Sequence, residues 1–144
     1  MRTVAALALA ATLATPALAE TVVESANDFE TTLSKLRTAI EASPASVIHE
    51  VDHAAGAQSA GLELEPTTLV IFGNPQVGTQ LMQADHKIAL ALPMKMLVAE
   101  IDGTVRIVYT DPAELTDEYE LGDAAELTGK MSGLISKLAE AAAN

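Results

Sequence analysis

Thr67-Thr68-Leu69-Val70-Ile71-Phe72, closed by Gly73-Asn74-Pro75, is the stretch that decides the fold. A short run of β-branched and apolar residues bounded by turn formers has the length of a buried central strand. Asn74 is a natural helix cap, and Pro75 suits the first helical position, where a missing N–H costs no hydrogen bond. The run therefore predicts a strand that hands directly to a helix. Downstream, that helix carries Val77, Leu81 and Met82 and breaks near Asp85; a short continuation bears Ile88 and Leu92 before Pro93 stops it. Met94 to Ile101 and Thr104 to Thr110 then flank Asp102-Gly103, a strong two-residue hairpin signal. In the second arm Val105, Ile107 and Tyr109 share a face.

Upstream, Ser46 to Asp52 reads as a strand with Val47, His49 and Val51 on one face, and the small-residue segment His53 to Gly61 as one or two helical turns. Phe29, Leu33, Leu36 and Ile40 recur at helical spacing, which predicts a helix capped by Asn27, with Glu30 completing a capping box. Ser43-Pro44 ends it, because the residue before proline is pushed out of helical geometry. Thr21 to Ser25 gives a short first strand. Leu127, Met131, Leu134, Ile135 and Leu138 form the stripe of a last helix beginning near Asp123. The order β-α-β-β-α-β-β-α describes a single α+β domain with a mostly antiparallel sheet.

Composition narrows the function. The chain has 144 residues, 49% hydrophobic and 3% aromatic, with a net charge of −12 and no cysteine. That length suits one domain, and the apolar fraction is enough for a core. Eight basic residues against 20 acidic ones leave nothing to neutralise a run of phosphates, so nucleic acid is excluded as a partner. The absence of cysteine excludes disulfides, thiol catalysis and Cys-ligated metal.

Residues 1–19 read as a secretory leader. Arg2 supplies the positive end, Val4 to Leu13 the apolar stretch, and Ala17-Leu18-Ala19 the small-x-small cleavage pattern. The apolar part is too short for a span of about 20 residues. Residues 20–144 are then an exported domain, periplasmic or secreted, without stable membrane insertion. Its acidity disfavours docking on anionic lipid headgroups.

Chemistry-bearing residues are few. His53 follows Asp52 at the edge of the small-residue segment, where an imidazole can act as acid, base or ligand; fixing the loop through a backbone carbonyl is the plainer role. Glu63 can orient it or lie on the surface. Tyr109 is a strand aromatic whose hydroxyl needs a partner, and Asn74 is most simply a cap. Met94, Met96 and His86, with Met82 four residues before His86, raise a Cu(I) site, since thioethers and imidazole suit that ion; methionines filling an aromatic-poor core account for the same residues. No serine lies in a Gly-x-Ser-x-Gly setting. The seven acidic residues from Asp111 to Glu126 read as a solvated loop and helix start rather than a cation site.

Several separated blocks recur together: Ile71-Phe72-Gly73-Asn74-Pro75, Gly78-Thr79-Gln80-Leu81-Met82, Leu92-Pro93 and Tyr109-Thr110-Asp111-Pro112, with Val51-Asp52-His53 and Gly61-Leu62-Glu63-Leu64 upstream. In these the chain resembles the bacterial domain-of-unknown-function 302 family, from the Phe29 helix to Pro112. The resemblance implies a TATA-box-binding-protein-like arrangement, often paired as a homodimer, and supplies no reaction. His53, Glu63, Gly73, Asn74, Pro75, Pro93 and Tyr109 match family positions. The expected function is a non-enzymatic, exported small-ligand-binding or protein-interaction module acting as a homodimer. His53, Glu63, Asn74 and Tyr109 are its ligand-binding candidates, and no cofactor is expected. The alternatives are a small enzyme using His53 as acid or base, and a copper-handling protein using Met and His ligands.

Overall fold

The computed structural model describes residues 19–144, so the leader reading lies outside the described residues except for Ala19. Five strands, β1 (Glu20–Glu24), β2 (Ser46–Asp52), β3 (Thr67–Gly73), β4 (Met94–Ile101) and β5 (Thr104–Thr110), form one sheet in the order β1-β5-β4-β3-β2. Every neighbouring pair is antiparallel. Five α-helices lie among the described residues: α1 (Phe29–Glu41), α2 (His53–Ser59), α3 (Pro75–Ala84), α4 (Leu115–Glu118) and α5 (Ala125–Ala143), with short 3-10 turns at His86–Leu90, Pro112–Glu114 and Gly122–Ala124. The expected α+β order is present; α2 forms in the segment read as one or two helical turns, and α4 is an added short helix.

Strand alternation sets the layers, because residues opposed across an antiparallel pair share a face. Val70, Phe72, Met94, Met96, Val98, Val105, Ile107 and Tyr109 lie on the inner face, in one buried cluster with Leu33, Leu36 and Ile40 of α1 and Ile135 and Leu138 of α5. The hairpin forms as expected. Asp102 and Gly103 both have positive φ, 53° and 75°, which is the type I′ geometry that matches strand twist. Helix α2 ends on Gly61 at φ 74°, where Leu62 N–H donates to Ala57 O and Gly61 N–H to Gln58 O. That pairing is a Schellman closure, which needs a residue able to enter the left-handed region.

Two local expectations are corrected. The cap of α1 is Asp28, whose side chain accepts from Thr31 N–H at 2.7 Å. Asn27 instead turns to the other end of the chain, its Nδ2 donating to Ala142 O and Ala143 O at 3.4 and 3.3 Å. It clamps the C-terminus of α5, a role no local pattern announces. In β2, Val47 does not share a face with His49 and Val51. Val47 opposes Phe72 and His49 opposes Ile71, so Ile48 is the extra residue of a bulge. The bulge leaves Val47 and Glu50 on the inner face and His49 and Val51 on the outer one.

That flip brings Glu50 under α1. Arg37 donates from Nε to Glu50 Oε1 at 2.7 Å and from Nη2 to Oε2 at 2.6 Å. These hydrogen bonds hold the Glu50 carboxyl below its ordinary pKa. A carboxylate depressed in the folded state stabilises the fold above its unfolded pKa, and that contribution is lost as pH falls through the folded value. Both groups are partly solvated, which limits the pair to about 0.5–1 kcal/mol. Arg37→Met should lower stability by about that amount at neutral pH. In acid, with Glu50 protonated in both states, variant and parent should coincide; urea titrations at the two pH values check this.

Candidate functional site

The principal concavity opens where β3 ends and β4 begins, between α3 and α5, with a volume of about 490 Å³. Five segments build it. Pro44 and Ala45 come from the turn after α1, and Ile48 from the β2 bulge. Gly73 to Pro75 with Val77, Gly78 and Met82 supply the α3 side; Leu92, Pro93 and Met94 form the floor; Leu127, Lys130, Met131 and Leu134 supply α5. The wall is almost wholly carbon. A second, smaller cavity of about 190 Å³ shares Leu92, Met94 and Met131 with the first, so those three side chains form the partition between them.

Local sequence accounts for each wall. Asn74 ends β3 and its Oδ1 accepts from Gln76 N–H at 2.9 Å, while Pro75 takes the first helical position. That cap fixes the direction in which α3 leaves the sheet. Asp85 terminates α3 and its Oδ1 accepts from Lys87 N–H at 3.0 Å. The same hydrogen bond is the main reason its carboxyl pKa is lowered. Lys95 donates through Nζ to Ala91 O and Pro93 O at 3.0 and 2.9 Å, bracing the corner that forms the floor. Partial burial of that ammonium lowers its pKa.

Two glycines leave the space open. A Cβ on Gly73 would meet Pro93 Cβ at 3.6 Å and Ile48 Cδ1 at 3.8 Å, so anything larger would fill the mouth. At Gly78 the nearest atom to such a Cβ is Met82 Cε at 3.8 Å. Glycine inside a helix is unfavourable by about 1 kcal/mol relative to alanine, so its presence on the cleft-facing side of α3 needs a reason. The vacant space supplies one.

Of the four residues expected to bind ligand, only Asn74 lines this cleft. His53 begins α2 and Glu63 follows that helix, both exposed, at the opposite end of β3 from Asn74. The intervening strand of seven residues puts them about 20 Å apart at a rise of about 3.3 Å per residue. Tyr109 is buried on the inner face of β5, opposite Thr21. The structure therefore does not bring the four together. Met94 and Met96 lie in the core and His86 is exposed beyond α3. Among the described residues no cluster of three or more His, Cys, Asp or Glu is placed to hold a metal ion.

The acidic stretch is more structured than a loop. Turns at Pro112–Glu114 and Gly122–Ala124 flank α4, and Pro112, Leu115 and Leu121 are buried beneath it. Most of its carboxylates, Asp117, Glu118, Glu120, Asp123 and Glu126, remain in solvent.

Comparison with known proteins bears on this architecture. Residues 21–138 match the family described as Domain of unknown function DUF302. The chain belongs to the DUF302 family. A solved DUF302 protein from Bacillus stearothermophilus superposes with a TM-score of 0.79 at 17% identity, over 89% of this chain and 100% of that one. At that identity the likeness establishes the shared α+β fold. A Brucella suis protein named fluoride-specific ion channel FluC 1 is 38% identical over 122 residues, 81% of this chain and 48% of that protein. Brucella abortus FluC 1 is likewise 38% identical, over 45% of its length. The chain thus spans about half the length of these relatives. None of the described helices is long and apolar enough to cross a membrane.

Because His53 is exposed and outside the cleft, His53→Ala should change stability by no more than about 0.5 kcal/mol. Thermal denaturation of the two proteins measures this; a larger loss would show that His53 holds the β2–α2 junction together.

Proposed function

We propose that this DUF302 chain is an exported, non-enzymatic binding module, periplasmic or secreted, that takes an apolar small ligand into the cleft between α3 and α5. The observation that carries the reading is a half-open cavity of about 490 Å³ with a carbon wall. Small-ligand sites fall in the range of about 300–1,000 Å³ and are built mostly from apolar side chains. Export is supported by the leader pattern of residues 1–19 and by the start of β1 at Glu20, the residue after the expected cleavage point. The Brucella relatives carry the word channel in their names, but this chain matches only about half of their length. The reading assigns it no channel activity.

Homodimer formation belongs to the same proposal, and the outer face of the sheet supports it. Val51, Leu69, Leu97, Val108 and Val22 are paired in register, one from each strand, in a single apolar row. Val22 is 52% exposed. The edges are poor alternatives: β1 is only five residues long and carries Glu20 and Glu24, and β2 is bulged. A second copy laid face to face would cover the row.

Two outcomes are expected. Gly78→Leu should fill the cleft, abolish binding of an apolar fluorescent probe and leave the melting temperature no lower than the parent's, since the helix gains a better former. Retained probe binding would remove the cleft from the argument. Leu97→Glu, at the centre of the outer row, should raise the dimer dissociation constant by roughly thirtyfold. Light scattering across a dilution series reads that shift.

A further inference from the structure

The cleft has a polarity of its own. Among the described residues, Lys130 is the only charged one that lines the cleft, and it takes part in none of their ion pairs. Across the opening, α3 from Pro75 to Ala84 carries no charged side chain. The one charged group lining the cleft among the described residues is therefore positive, in a chain whose net charge is −12; Glu126, one turn earlier on α5, is exposed and does not line the cleft. The next residue on α5, Met131, is 6% exposed, and Met94 on the floor is 8% exposed. One step along the helix thus runs from a solvated ammonium to the interior of the cavity.

We propose that the occupant is a free single-chain amphiphile with an anionic head, such as a long-chain carboxylate, with its head at Lys130 and its tail against Met131 and Met94. This rests on the cleft being the binding site, and it names the class of ligand. A polar small molecule would give up its hydrogen bonds to water and recover few from such a wall, which is costly. The Asn74 Oδ1 that borders the cleft is already accepting from Gln76 N–H. An aliphatic tail loses nothing by entering and gains about fourfold in affinity for each methylene buried.

The partition extends the argument. Leu92, Met94 and Met131 divide the main cleft from the second cavity, and methionine side chains are unbranched and readily re-pack. A tail longer than the first chamber can push the two thioethers aside and continue into the second. A rigid ring system of the same volume could not follow that path.

The test uses the protein produced with its leader and recovered from the exported fraction, stripped of bound lipid and titrated calorimetrically with laurate, palmitate and lauryl alcohol. Laurate should bind about three- to fivefold more tightly than the alcohol, the value of one partly solvated charge pair. Palmitate should bind more tightly than laurate. In Lys130→Met, which keeps an unbranched stem and removes the charge, the preference for laurate over the alcohol should vanish. Equal binding of laurate and alcohol to the parent would overturn the anionic head, as would a preference that persists in Lys130→Met. Palmitate binding no better than laurate would overturn the tail's passage into the second cavity. Binding of none of the three would instead remove the cleft reading beneath the proposal.

Discussion

Burial of the inner face of β3, β4 and β5 beneath α1 and α5 is the interaction on which the rest of the structure depends. Val70 opposes Met96, and Val98 opposes Ile107, so the centre of the sheet offers continuous apolar rows to the two helices. Leu36, Ile40 and Ile135 close over them and are essentially inaccessible to water. Without a disulfide to constrain the unfolded chain, stability must come from this packing. The termini are drawn into it as well: Ala26 N–H donates to Ala143 O, and Asn27 holds the last carbonyls of α5.

The composition of that core explains the cleft. Only two Phe and two Tyr occur in the whole chain, with no Trp. Phe72 and Tyr109 are committed to the sheet's inner face. The space between α3 and α5 is lined by Pro, Val, Gly, Met, Leu and Lys residues, with no aromatic ring to fill it. Protein interiors normally close such gaps at the density of an organic crystal. Here Asn74 and Pro75 start α3 directly at the end of β3, and Gly78 leaves the surface facing the cleft bare. A carbon-walled chamber with one ammonium at its mouth is the result.

Much of the fold could be read from local pattern because local pattern is what forms it. The Thr67–Phe72 run, the Asp102-Gly103 turn, the Asn74-Pro75 cap and the Leu33-Leu36-Ile40 stripe all behave as their chemistry dictates. The failures occur where a distant partner overrides the local signal. Asn27 has capping chemistry, but the carbonyls of Ala142 and Ala143 claim its side chain and Asp28 takes the cap. The Ser46–Asp52 strand alternates acceptably in sequence, yet its pairing with β3 inserts a bulge at Ile48 and moves His49 to the other face. The apolar cleft was the least legible part. His53 and Glu63 drew attention because imidazoles and carboxylates carry recognisable chemistry, whereas the cleft is made of residues that announce none.

The sequence by itself determined the element order, the antiparallel sheet, the leader pattern and the family, because periodicity, caps and turns act over a few neighbouring residues. Only the tertiary structure decided that five separated segments converge on one apolar chamber. It also decided that Val22, Val108, Leu97, Leu69 and Val51 align across five strands, and that Lys130 stands at the chamber's mouth. These are matters of register and of where a helix crosses a sheet. Both are fixed by burial summed over the whole core, and no stretch of a few residues contains that sum.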